Sequence, residues 1–180
     1  DRLGDVAGFG PATRERLARQ LAERAARGGE DVGRVPLGQA LPLAEEIAGR
    51  LRAAVPGARV EVAGSLRRGR ESAHDIDLVA AWGAPADLQE ALAADPAAER
   101  VLSRGDTGIG VATHAGVRVE LSVGPPDSFG NLLQHATGSA AHNVRLRELA
   151  VRRGLSASQH GIAGPEGTTH AAHEDEVYAA

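Results

Sequence analysis

Between residues 60 and 80 two apolar runs are separated by a Gly-Ser turn and an arginine-rich segment. The second run carries two aspartates one residue apart: AGSLRRGRESAHDIDLVA spans 63–80. On an extended strand alternate residues share a face, so Asp75 and Asp77 point the same way, roughly 7 Å apart at about 3.3 Å per residue. Two carboxylates on one face suit a divalent metal. Mg²⁺ prefers a few carboxylates plus substrate phosphates, and metal pairs about 4 Å apart clamp the attacking and leaving oxygens of a phosphoryl transfer. Gly64-Ser65 lies just upstream, where a turn opening a helix aims backbone N–H groups at phosphate.

Taken in order, Gly8-Phe9-Gly10-Pro11 and the amphipathic run after it predict a turn entering a helix that ends near Gly28, with Pro11 in its first turn. Residues 30–34 are a polar linker. A second amphipathic helix is expected over 41–54, on Leu43, Ala44, Ile47 and Leu51, ended by Pro56-Gly57. Strands follow over 59–63, 75–81, about 101–104, 109–114 and 117–123, with a helix over 85–94 between the second and third. The last strand alternates cleanly: Val117, Val119, Leu121 and Val123 face a core, while Arg118, Glu120 and Ser122 face outward. Two helices, 129–136 and 139–153, meet at Thr137-Gly138-Ser139. The fold class is α+β with a mixed sheet.

At 180 residues the chain can bury a real core. No apolar run approaches the roughly 20 residues of a membrane span, and no charged-then-apolar leader opens the chain, so a cytoplasmic protein without a membrane partner is expected. Absence of Cys excludes disulfides and thiolate chemistry, and absence of Met, even at position 1, suggests a start inside a longer protein or a trimmed chain. The net charge of −4 does not announce a nucleic-acid binder; local patches decide that, and every cation here other than histidine is Arg. One patch is Arg67, Arg68 and Arg70, the other Arg145, Arg147, Arg152 and Arg153. The guanidinium fork matches phosphate oxygens bidentately, whereas charged runs are usually solvated faces. A functional role is favoured at Arg68, and a solvated one at Arg70 and Arg153.

Gly-Ser, an arginine pair and Asp-x-Asp in this order resemble the nucleotidyltransferase motif of the family X DNA polymerases, the group related to DNA polymerase β. Downstream, VELSVGPPDSFGNLLQHATGSAAHNVRLRELAVRRG looks like that family's final palm strand and thumb, and upstream GRVPLGQALPLAEEIAGRL looks like the end of its fingers. The resemblance implies a polymerase core of bacterial type: a helical fingers remnant over 1–55, a nucleotidyltransferase palm with a mixed β-sheet over 56–126, and a truncated thumb over 127–180. It implies a monomeric DNA-directed DNA polymerase that adds deoxynucleotides to a primer 3′-hydroxyl, filling gaps in DNA repair. Its partners would be gapped or primer-template DNA and deoxynucleoside triphosphates. The catalytic metals would be two Mg²⁺, with Mn²⁺ as a substitute, held by Asp75, Asp77 and Glu120. Arg34, Gly64, Ser65, Arg68 and His74 would face the triphosphate, and His135, Gly138 and Asn143 the rest of the nucleotide. Gly8, Gly10, Arg118 and Arg147 would face DNA. The opening segment also resembles a helix-hairpin-helix, whose backbone amides contact phosphates without reading sequence. Asn143 and Arg147 match residues at the minor-groove edge, where contacts check pair geometry without choosing sequence.

The chain departs from the family at three places. Glu120 stands where the family has Asp; it is one methylene longer, whereas Mg²⁺ demands ligand distances of roughly 2.0–2.1 Å. His74 replaces a small Gly beside the triphosphate, and His135-Ala136 replaces an aromatic pair that packs on the incoming sugar. His160, His170 and His173 lack metal-ligand spacing and read as solvated loop residues. Two alternatives stay open. A nucleotidyltransferase acting on a small molecule or RNA shares Gly-Ser and Asp-x-Asp but does not need HNVRLRE, and a non-catalytic DNA-binding relic tolerates Glu120, His74 and Ala136.

Overall fold

In the computed structural model, which describes residues 33–180, the alternation in the sequence becomes the two faces of a five-stranded mixed sheet. The chain begins with β1 (Val35–Pro36), α1 (Leu37–Ala54), β2 (Arg59–Val62), the one-turn helix α2 (Gly64–Arg67) and β3 (Ser72–Ala73). It continues through β4 (Asp75–Ala81), α3 (Pro85–Ala93), β5 (Ala98–Arg104), β6 (Gly108–Thr113) and β7 (Arg118–Gly124). Then come α4 (Phe129–Thr137), α5 (Ala140–Arg152), a small sheet of β8 (Ser156–Ser158), β9 (Gly161–Gly164) and β10 (Gly167–Thr169), and α6 (Glu174–Ala179). Gly8, Gly10 and the helix expected over 11–28 lie outside the described residues.

The large sheet has the order β2-β4-β7-β6-β5, and all its pairings are antiparallel except β4 with β7, which run parallel. Ile76, Leu78 and Ala80 of β4, Val119, Leu121 and Val123 of β7, and Val111 of β6 are buried on one face. Ala44, Ile47 and Leu51 of α1 and Leu88 and Leu92 of α3 cover them in one continuous core. Each Leu or Ile so buried is worth roughly 1.5–3 kcal/mol, which is what holds helices whose own propensity is diluted by Gly and Pro. The opposite face is divided. Its far half, Val79 and Ala81, packs against Phe129, Leu132 and Leu133 of α4, while its near half carries Asp75 and Asp77.

The sequence-based boundaries shift where tertiary contacts intervene. Helix α1 starts at Leu37 rather than 41 and takes Pro42 into its interior, because Pro36 leads in from β1 and the Leu37 N–H donates to the Glu71 carbonyl. β1 pairs antiparallel with β3, two-residue strands too short to leave a periodic signal. β5 begins at Ala98, is mostly exposed and pairs with shifts in register, as an edge strand can. The tail expected to be a loop is the β8–β10 sheet, whose Ile162 packs with Ala171 and Val177. Among the described residues no helix is long and apolar enough to cross a membrane.

The tail docks on α4 through backbone contact. Gly130 N–H donates to Ala171 O and Ala171 N–H to the Asn131 side-chain oxygen, both at 2.8 Å. A Cβ on Gly130 would lie 2.3 Å from the His173 carbonyl carbon and oxygen. Gly130→Ala should therefore destabilise by roughly 1–3 kcal/mol. Gly49→Ala, in an exposed turn of α1 with open space around the new methyl, should stabilise by up to about 1 kcal/mol. Urea denaturation of the two variants should shift the midpoint in opposite directions; shifts of the same sign would contradict the docked tail.

Candidate functional site

Parallel pairing sets β4 against β7 with Asp77 opposite Glu120 and Asp75 opposite Arg118. Since neighbouring residues on paired strands share a face, the two aspartates and Glu120 emerge on the side not covered by α1 and α3. Asp77 is held from beneath by Gly64. The Ala63 N–H donates to Asp77 O at 2.8 Å, and Gly64, at φ +58°, lies so close that a Cβ there would come within 1.7 Å of Asp77 Oδ2. Burial pushes the Asp77 carboxyl up to about 6, and the charges of Asp75 and Glu120 add to the shift while Arg68 opposes it. A desolvated carboxylate beside like charges is a donor set that a hard divalent cation would relieve, so Asp75 and Asp77 fit one.

Glu120 behaves differently. Its Oε1 is engaged by Arg118 in an ion pair along β7, and Arg118 Nε is buried without a partner among the described residues. No group of three His, Asp or Glu side chains among the described residues is placed to hold a metal ion. The structure thus gathers an aspartate pair and an adjacent Arg118–Glu120 pair. Arg118 faces Glu120, where the resemblance had assigned it to DNA.

Arg34, Ser65, Arg68, His74 and Asp75 do come together. With Arg70 they line a cleft of about 410 Å³, in which the Ser65 Oγ is buried and without a partner among the described residues. Arg34, Arg68 and Arg70 also line a larger neighbouring cleft of about 640 Å³ that reaches Ser72 and Ser139. Arg34 is oriented by β3, its Nε donating to Ser72 Oγ at 2.8 Å and its Nη2 to Ser72 O at 2.6 Å. Arg68 donates to the Thr137 carbonyl. Arg67, grouped with Arg68 in the sequence, faces elsewhere: it donates to Thr137 Oγ1 at 2.8 Å and grips Glu174 bidentately at 2.9 and 2.8 Å. Arg70 is exposed, as expected, and also borders both clefts, a placement for which its neighbours offer no periodic signal.

At the α4–α5 junction, Gly138 ends α4 and Ser139 Oγ caps α5 by accepting from the His142 N–H. The Asn143 amide is used internally, donating to His135 O at 2.8 Å and accepting from Gln134 at 3.0 Å, so it fastens α5 to α4. His135 and Arg147 border a third, small recess. Burial, with Arg147 and His160 nearby, holds the His135 imidazole below its usual value.

The mixed sheet thus carries an aspartate pair beside an arginine-lined cleft, with Asp75 in the cleft lining. Residues 132–180 match the family described as DNA polymerase beta thumb. The chain is 33% identical over 163 residues to the DNA polymerase/3′-5′ exonuclease PolX of Bacillus subtilis (strain 168), an alignment covering 89% of this chain and 28% of that protein. The chain belongs to the family X DNA polymerases, in their bacterial branch. It spans about 28% of the length of the curated relative it matches.

The raised Asp77 carboxyl has a consequence for stability. Between the ordinary 3.8 and about 6 the folded chain holds a proton that the unfolded chain has released, so stability from this group is lost as pH rises through about 6. In chelator-containing buffer, Asp77→Asn should raise Tm by a few degrees at about pH 8 and lose that advantage by about pH 4. An equal difference at both pH values would contradict it. Gly64→Ala should lower Tm at both, since its methyl displaces Asp77 whatever the charge.

Proposed function

We propose that this chain is the core of a DNA-directed DNA polymerase that joins deoxynucleotides to a primer 3′-hydroxyl and fills short gaps in DNA repair. What carries the reading is the placement of Asp75 in the lining of the same cleft as Arg34, Ser65 and Arg68, with Asp77 beside it on the face of β4. In this assignment residues 1–55 are the fingers remnant, 56–126 the palm and 127–180 the thumb. The primer hydroxyl attacks the α-phosphate and pyrophosphate leaves. Bound Mg²⁺ would neutralise the developing charge and lower the pKa of the hydroxyl, with Asp75 and Asp77 as its ligands. Arg34, Ser65 and Arg68 hold the triphosphate, and His74, exposed at the cleft, donates to a phosphate oxygen. Gly64 keeps Asp77 in place, Gly138 shapes the turn beside Arg68, and His135 sits by the sugar. Arg147 reaches the template. Asn143 acts by fixing α5 to α4.

Glu120 takes part as the third carboxylate once Arg118 turns to the primer phosphate. The Arg118–Glu120 pair also favours a second reading, a DNA-binding relic in which that pair is permanent. Single-turnover incorporation on gapped DNA separates the two. Asp77→Asn should lower the rate roughly 100-fold or more while leaving DNA affinity equal or tighter. Glu120→Asp should raise the rate without changing triphosphate affinity, because the third acid acts on the attacking hydroxyl and hence on the transition state. Glu120→Ala should abolish incorporation. Parent-rate extension by both Glu120 variants would remove Glu120 from the site, and DNA binding without extension by the parent would establish the relic.

A further inference from the structure

Arg70 hangs from the same turn as Ser65. Its N–H donates to Ser65 O at 3.1 Å, the Gly69 N–H donates to Leu66 O at 3.0 Å, and Gly69, at φ +66° with open space about it, reverses the chain after α2. This backbone is fixed at both ends, so Arg70 is carried to the border between the two clefts and lines each. Each of its arginine neighbours has an internal partner: Arg34 donates to Ser72, Arg67 to Glu174 and Arg68 to Thr137, and Arg34 and Arg68 keep further N–H groups for the cleft. Arg70 makes no ion pair or side-chain hydrogen bond among the described residues. The three arginines that the clefts share meet a single carboxylate in each, Glu71 in the larger and Asp75 in the smaller.

That excess of positive charge suits a polyanion longer than one phosphate. We propose that Arg70 is a further substrate-positioning residue, which grips the terminal phosphate of the incoming triphosphate and then the pyrophosphate it becomes. The proposal rests on the nucleotidyl-transfer reading above and adds to it the residue that binds the far end of the tail. The terminal phosphate keeps its bonding through the reaction, so its grip is made equally in the ground and transition states and belongs to KM rather than kcat.

The test measures calorimetric binding of inorganic tripolyphosphate and of pyrophosphate, together with steady-state incorporation on gapped DNA. Arg70→Gln should weaken tripolyphosphate binding roughly tenfold, the scale of one charge-assisted hydrogen-bonded contact, and raise KM for the triphosphate similarly with kcat within about twofold. Arg70→Lys should recover part of the loss, since the charge is kept and the fork is not. Arg100→Gln, on the far edge strand β5, should bind as the parent does. Parent-like tripolyphosphate binding by Arg70→Gln, with losses in Arg34→Gln and Arg68→Gln, would overturn the proposal and leave the nucleotidyl-transfer reading intact. An equal loss in Arg100→Gln would overturn it as a general charge effect. If none of the three cleft arginines affects binding, the cleft is no phosphate site and both readings fall.

Discussion

The parallel in-register pairing of β4 with β7 is the constraint on which the rest depends. Side chains alternate along a strand, so a slip of one residue would carry Ile76, Leu78, Val119 and Leu121 out of the core under α1 and α3 and drive Asp77 or Glu120 into it. Burying an unpaired carboxylate costs far more than a misplaced leucine, and the two penalties act in the same direction. The apolar face thereby fixes the register, and the register sets Asp77 opposite Glu120. Concentrated negative charge is then imposed on the site by the packing of the core, and the Asp77 carboxyl is raised first by its burial and then by the charges of Asp75 and Glu120.

The elements that could be read from the sequence are those whose burial has one period. Strand β4 has the expected bounds, and β7 alternates as expected through Val123. The exposed edge strand β5 offers no such pattern, and β1, β3 and β8–β10 are only two to four residues long, too short for alternation to register. The site divides in the same way. Asp75 and Asp77 were legible because two residues on one strand share a face whatever the surroundings. The fates of the arginines depend on partners far along the chain: Arg67 turns to Glu174 and Arg68 to Thr137, pairings no local pattern encodes. The internal use of Asn143 was hidden for the same reason, since its partners, Gln134 and His135, lie across a helix junction.

Those long-range partners join the tail to the cleft. Arg67, the last residue of the one-turn helix α2, and Arg68, which caps it, both reach Thr137, Arg67 at its hydroxyl and Arg68 at its carbonyl, and Arg67 continues to Glu174 at the start of α6. The tail is anchored a second time at Gly130 and Asn131. Charge-assisted bidentate contacts hold geometry as well as energy. The position of Arg68 at the cleft is therefore set jointly by the Gly64 turn and by the end of α4, and a change at Glu174 would be felt through Arg67 at the turn that supports Asp77.

The Arg118–Glu120 pair follows from side-chain length. Residues two apart on one strand face are separated by roughly 7 Å, a gap that a long arginine can close against glutamate more readily than against the shorter aspartate. With Glu at this position the intrastrand pair is favoured, and Glu120 is drawn along β7 toward Arg118, the residue paired opposite Asp75, while its charge still bears on Asp77. The half-exposed pair is worth little in stability by itself, on the order of 0–1 kcal/mol, so it is a weak lock. A DNA phosphate offering Arg118 a second anion, or a divalent cation offering Glu120 a second cation, would each exchange one partner for another of the same sign, and either exchange would free the other member. Binding at one would thereby favour binding at the other. Under the proposed assignment, the extra methylene of Glu120 would couple the DNA contact to the carboxylates instead of merely lengthening a ligand.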